Sequence, residues 1–162
     1  CLSQHCCTKE VILGIQNVKK LVINGSYQES DGLFNNLVHL HQLESLSLEC
    51  FKLYSGIPSA KAFPATLKKL KLRGTYLRWS NLDIIAELPN LEVLKLMQHA
   101  CRGPIWDPNV REFNRLKLLL IYFHDDLKYW NVTNDNFPIL ERLFIRNCPE
   151  LEEIPIEFAK IP

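Results

Sequence analysis

One six-residue pattern, apolar-x-x-apolar-x-apolar, recurs six times along the chain at an almost constant interval. It reads VKKLVI at Val18–Ile23, LESLSL at Leu43–Leu48 and LKKLKL at Leu67–Leu72. It continues as LEVLKL at Leu91–Leu96, LKLLLI at Leu116–Ile121 and LERLFI at Leu140–Ile145. The starts at 18, 43, 67, 91, 116 and 140 are separated by 25, 24, 24, 25 and 24 residues. A fixed period of this size marks an array of supersecondary units. Each segment is short enough for one strand, with alternate side chains on opposite faces. One repeat has nothing against which to bury its apolar face, so stability requires neighbours stacked into a continuous core.

The interval falls within the leucine-rich range of about 20–29 residues. The expected fold class is therefore α/β, a leucine-rich-repeat solenoid or horseshoe. Its concave side is a parallel sheet; its convex side is mostly loops and short helices. The array fills 1–162, with strands near 18–23, 43–48, 67–72, 91–96, 116–121 and 140–145. The ninth position of each repeat, where a small or polar side chain bonds the turning backbone, holds Ser26, Phe51, Thr75, His99, His124 and Cys148. Phe51 departs, and a one-residue shift would put Cys50 there. His99 and His124 are expected to satisfy loop backbone groups rather than to act as ligands or catalysts.

The outer segments differ from one another. Leu33, Phe34, Leu37 and Leu40 have helical spacing after Ser30-Asp31, and Leu82, Ile85 and Leu88 have it after Ser80-Asn81. Pro89 ends the second run. The return over Cys101–Arg115 contains Pro104 and Pro108 and reads as extended; Asp125–Pro138 is polar and reads as loop. Phe63-Pro64, Leu88-Pro89 and Phe137-Pro138 precede strands as corners. No polar capping repeat is visible at either end, and a seventh strand is expected near Ile161-Pro162, so the expectation is part of a longer array.

The six cysteines, Cys1, Cys6, Cys7, Cys50, Cys101 and Cys148, have irregular spacing and form neither a disulfide framework nor paired C-x-x-C motifs. Free buried thiols in a reducing compartment explain them. His5-Cys6-Cys7 lacks a second ligand pair at metal-binding spacing. No apolar run reaches the roughly 20 residues of a membrane span. With a net charge of +1, no global field draws the chain to nucleic acid. Serines, histidines and acids are present, but no nucleophile elbow, metal-binding helix motif or phosphate loop accompanies them, so a binding module is expected rather than an enzyme. No metal or cofactor site is expected in this stretch.

Function then rests on the concave face, where positions three, five and seven of each repeat point outward. These are Lys20, Val22 and Asn24; Ser45, Ser47 and Glu49; Lys69, Lys71 and Arg73; Val93, Lys95 and Met97; Leu118, Leu120 and Tyr122; Arg142, Phe144 and Arg146. Seven cations stand against one anion, a local charge of +6 on a chain of +1. Two readings stay open: an acidic partner for repeats three and four, or a solvated lysine face that keeps the sheet soluble. In repeats five and six, Leu118, Leu120, Tyr122 and Phe144 form an apolar patch flanked by Arg142 and Arg146, the composition of a protein-interface centre. Trp79, Trp106 and Trp130 fall in returns and are expected to pack locally.

Two stretches carry a further signal: FPATLKKLKLRGTYLRWSNLDIIAELPNLEVLKL, Phe63–Leu96, and FPILERLFIRNCPELEEIPIEF, Phe137–Phe158. With the Gly103–Trp106 return, they resemble the repeats of plant intracellular coiled-coil nucleotide-binding immune receptors, specifically the nightshade late-blight-resistance type. The resemblance implies a fragment of a longer cytoplasmic receptor, at most peripheral to a membrane, that detects a pathogen effector directly or through a guarded host protein. It also implies a repeat domain that restrains its own nucleotide-binding domain, where ATP or ADP would bind. The basic repeats would then suit that domain and the apolar repeats the variable ligand. Asn131-Val132-Thr133 is a glycosylation sequon and keeps an extracellular repeat receptor open as an alternative, as fold alone keeps open a ligase adaptor.

Overall fold

The repeat period sets a ladder of strands in strict register. The computed structural model describes residues 2–3, 6–25, 33–49, 52–108 and 113–161. Cys1, His5, Ser26, the Ser30-Asp31 cap, Cys50 and Phe51 lie outside these. Eleven strands occur among the described residues: β1 (Leu2–Ser3), β2 (Lys20–Asn24), β3 (Ser45–Glu49), β4 (Lys69–Arg73), β5 (Leu77–Arg78), β6 (Val93–Met97), β7 (Cys101–Arg102), β8 (Ile105–Trp106), β9 (Leu118–Tyr122), β10 (Tyr129–Trp130) and β11 (Arg142–Arg146). Seven form one parallel sheet ordered β1-β2-β3-β4-β6-β9-β11, so spatial order follows chain order. The architecture is α/β, with one large parallel sheet and few short helices.

Each full strand covers positions three to seven of its repeat, beginning two residues later than the apolar pattern. The reason lies in the corners. The position-one leucines close tight turns: Leu67 N–H donates to Pro64 O at 3.1 Å, and Leu116 N–H to Phe113 O at 3.1 Å. The N–H groups at positions two and three then share one carbonyl of the preceding repeat, as Lys68 and Lys69 share Glu44 O at 2.9 Å. Pairing becomes regular only beyond this fork. Position two also carries a charge alternation, Lys19, Glu44, Lys68, Glu92, Lys117 and Glu141, with Lys68–Glu44 at 3.6 Å and Lys117–Glu92 at 3.9 Å. Unexpected from the pattern, β1 adds a seventh strand by pairing Leu2 and Ser3 with Ile23 and Asn24.

The chain leaves the sheet in the same way in four repeats. Position eight, held by Gly74, Gln98, Phe123 and Asn147, has φ of 61, 36, 59 and 55°. Left-handed backbone turns the chain sharply there, although only glycine adopts it without a Cβ penalty of roughly 1–2 kcal/mol.

The outer segments are short. Helix α1 (Lys9–Gly14), which the apolar spacing does not reveal, is capped by the Thr8 side chain accepting Val11 N–H at 3.4 Å. Helix α2 (Leu33–Leu37) buries Leu33, Phe34 and Leu37, and α3 (Leu82–Ala86) buries Leu82 and Ile85. Asn81 precedes α3 but makes no side-chain cap; its Oδ1 instead accepts Ile57 N–H from the neighbouring return at 2.9 Å. A side chain on Gly56 (φ 87°) would strike that oxygen. The return over Cys101–Arg115 contains β7 and β8, and β7 pairs with β5. The return over Asp125–Pro138 is more ordered than its polarity suggests. Its β10 pairs with β8, and Leu127, Trp130 and Val132 are buried.

The core is a leucine column with an aromatic column beside it. Trp79 stacks on Trp106 at 5.1 Å, Trp106 on Trp130 at 5.5 Å, and Trp130 on Phe158 at 5.2 Å, with interplanar angles of 17, 16 and 9°. Residues from four successive repeats thus stack ring on ring along the array, worth about 0.5–1.5 kcal/mol per pair beyond area burial. Cys6, Cys7, Cys101 and Cys148 are free thiols, but only Cys7 and Cys101 are buried as expected; Cys6 is exposed and Cys148 half-buried, and burial pushes the Cys7 thiol up to about 11. No helix among the described residues is long and apolar enough to cross a membrane.

Candidate functional site

Parallel register assembles the solvent face of the sheet into three rows. Position three contributes Lys20, Ser45, Lys69, Val93, Leu118 and Arg142. Position five contributes Val22, Ser47, Lys71, Lys95, Leu120 and Phe144, and position seven Asn24, Glu49, Arg73, Met97, Tyr122 and Arg146. All eleven candidate residues therefore lie on one face: Lys20, Lys69, Lys71, Arg73, Lys95, Leu118, Leu120, Tyr122, Arg142, Phe144 and Arg146. A groove of about 510 Å³ runs across it, lined by Lys20, Ser45, Ser47, Lys69, Lys71, Lys95, Leu118 and Arg142 among others. The small Ser45 and Ser47 side chains make its floor deep between longer neighbours.

Charge on this face is not uniform. Glu49 sits at the register position beside Arg73. It accepts Lys71 Nζ at 2.7 Å and Ser47 Oγ at 3.0 Å, and lies 3.7 Å from Arg73. The Lys71 hydrogen bond, outweighing the effect of partial burial, holds its carboxyl below the usual value. Arg73 Nε also donates to Gln98 Oε1 at 2.5 Å. Two of the seven cations are thus committed within the face. Lys20, Lys69 and Lys95 have no ion-pair partner among the described residues. Lys71 and Lys95 are directly in register, so an anion seated between them would relieve repulsion.

The second half of the face is apolar. Leu120 is in register with Phe144, and Tyr122 with Arg146. Leu118, Leu120 and Tyr122 are half-buried; Phe144 is 37% exposed, with the Arg146 guanidinium 5.8 Å from its ring centroid. Leu118 also lines the basic groove, so the two halves are continuous. On β11 the inward residues Leu143 and Ile145 are only partly covered. With Ile154, Ile156 and Phe158 they border an apolar depression of about 620 Å³.

The ninth-position residues divide. His124 is buried; its Nε2 accepts Cys101 N–H at 3.2 Å, and burial depresses its pKa to about 4. Thr75 is buried and donates to Ala100 O at 2.6 Å. His99 departs from the backbone-satisfying role. It projects to the surface, pairs with Asp125 at 3.3 Å and stacks on Tyr76 at 5.7 Å, with an interplanar angle of 5°.

That stack belongs to a second exposed feature that counting along the repeat does not reveal. Tyr54, Tyr76, His99 and Phe123 form a continuous row across four repeats, with centroids 6.2, 5.7 and 5.6 Å apart. Tyr54 is 46% exposed and Phe123 41%. Tyr76, His99 and Phe123 all adopt left-handed backbone, φ 51, 56 and 59°. Strained aromatic residues on a surface are an outlier from which function can be inferred. The signal is hidden because the row drifts from position twelve to ten, nine and eight.

Comparison with known proteins gives one consistent group. No protein-family model matches the chain. It is 36% identical over 148 residues to a late blight resistance protein homolog of Solanum demissum, covering 90% of this chain and 19% of that protein. Two further late blight resistance protein homologs from the same species are 35 and 36% identical over 90% of this chain, covering 13 and 11% of their own lengths. The chain therefore spans about a fifth or less of these relatives.

Proposed function

The chain belongs with the late blight resistance protein homologs of plants, as a stretch of that family, and on this premise we propose that it is the protein-recognition part of a disease-resistance receptor. Its strands are read as a leucine-rich-repeat horseshoe whose concave face takes protein partners. The observation that carries this reading is the division of one continuous face into a cationic groove and an apolar, arginine-rimmed patch. A face with both features suits two clients. The basic half would hold an acidic surface of the receptor's own nucleotide-binding domain and keep it inactive. The apolar half would meet a pathogen effector or a guarded host protein in the cytoplasm. Nucleotide would bind in that other domain, not in this stretch, and the repeats would carry no catalytic group.

The test is a binding measurement between this chain and the nucleotide-binding domain of the receptor that carries it. Lys69→Glu with Lys95→Glu reverses two uncommitted cations; Leu120→Asp with Phe144→Asp breaks the apolar half. If the first pair alone abolishes binding, the basic groove is the internal clamp and the apolar patch is left for the ligand. If neither pair changes binding, the assignment of this face is wrong.

A further inference from the structure

Away from the groove, position twelve of three successive repeats brings together Tyr54, Arg78 and Arg102. Arg78 and Arg102 are in register on β5 and β7, so two guanidinium-bearing side chains leave neighbouring strands on the same face. Like charges in register repel. No carboxylate among the described residues pairs with either. Arg102 reaches back so that its guanidinium lies 5.0 Å from the Tyr54 ring centroid; Lys52 Nζ lies 6.0 Å from the same ring. Arg102 Nε is shut off from solvent and has no hydrogen-bond partner, whereas Arg78 is exposed. Asp126 accepts the N–H of Gly103, the residue after Arg102, at 2.6 Å.

We propose that Arg78 and Arg102, backed by Tyr54, form a phosphoryl-binding site that takes a phosphorylated side chain of a protein partner. A carboxylate carries a single charge, which one guanidinium already neutralises. A phosphoryl group has three acceptor oxygens and close to two charges at neutral pH, enough to engage two forks together. The Tyr54 ring holds the Arg102 plane in place by cation–π attraction, limiting the entropy lost on binding. The aromatic row selects the source of the phosphoryl group. From Tyr54 it runs through Tyr76 and His99 to Phe123, giving residues that flank a phosphorylated side chain a surface to lie on. A free phosphate ion or a lipid headgroup would leave that row unused. The site lies at the strand exits rather than on the sheet face, and it does not depend on the reading of the basic groove.

The probe is the peptide acetyl-Leu-Pro-phosphoserine-Pro-Leu-amide, titrated into the whole chain while the arginine Nε–Hε resonances are followed by NMR at constant ionic strength. Saturable shifts of Arg78 and Arg102 are expected with the phosphopeptide, and none with its serine counterpart. Inorganic phosphate should bind at the same resonances about tenfold more weakly, because it lacks the flanks. Arg78→Ala and Arg102→Ala should each weaken binding about tenfold, the loss of one charge-assisted contact. Lys9→Ala, on α1 and away from both surfaces, should leave phosphopeptide binding unchanged. Since Arg78 is exposed, its variant keeps the test valid even where Arg102→Ala perturbs packing. Equal binding of the serine peptide, or no effect of Arg78→Ala, overturns the proposal. So does Arg78-dependent binding to phosphatidylserine vesicles without phosphopeptide binding, which would assign the site to a membrane surface.

Discussion

Two aromatic rows cross the repeats, and the contrast between them separates what holds the array together from what it displays. The buried row, Trp79, Trp106, Trp130 and Phe158, stacks nearly face to face behind the sheet. The exposed row, Tyr54, Tyr76, His99 and Phe123, mixes stacked and edge-on pairs along the strand exits. The first occupies unstrained backbone; three members of the second sit in left-handed backbone. The same ring chemistry therefore stabilises in one place and is maintained against strain in the other. Burial decides which, because ring–ring attraction is small beside the roughly 1.5–3 kcal/mol of burying a large apolar side chain.

The largest expected effect is in the buried row. Trp106→Ala removes a fully buried ring in contact with both neighbours and should lower unfolding free energy by about 3–5 kcal/mol, measured in urea. An equal loss from Tyr76→Ala would erase the distinction between the rows. Next comes acid. His124 packs against Trp79 at 5.3 Å, and its pKa falls from 6.5 to about 4 on folding. Between those values the unfolded chain binds the extra proton, so stability should be full above pH 6.5 and fall by roughly 3 kcal/mol as pH drops to about 4. His124→Asn should flatten that slope; a slope that survives would place the titration elsewhere. Smaller still, Tyr54→Ala and Phe123→Ala should each change stability by less than about 1 kcal/mol in the same urea experiment, as exposed positions do. Smallest is Asn147→Gly, which relieves an exposed left-handed non-glycine residue; unfolding free energy should rise by less than about 1 kcal/mol in the same urea experiment.

The same contrast explains what the sequence made legible. The strands could be placed because burial demands apolar side chains at positions one, four and six in every repeat, and Leu67, Leu70 and Leu72 show that demand undisguised. The solvent face followed from alternation alone. Returns obey no such demand. Leu127, Trp130 and Val132 are buried, yet they sit among Asp, Lys and Asn residues with no helical or strand period of their own. Their partner strand β8 is remote in sequence, and pairing cannot be read from one side. The exposed row was invisible for a different reason: left-handed turns swing successive rings outward from different positions, so no fixed count finds them. Within the face, the composition showed seven cations, but only geometry reveals that Glu49 holds two of them.

The alternation of charge at position two has a consequence for how such an array can grow or shrink. Lysine and glutamate take turns from repeat to repeat. Removing a single interior repeat would set lysine against lysine or glutamate against glutamate along that edge. Removing two adjacent repeats would restore the alternation. The hydrophobic period counts in units of one repeat, but the charge pattern counts in twos, so the smallest module that can be duplicated or lost without a mismatch at the join is a pair.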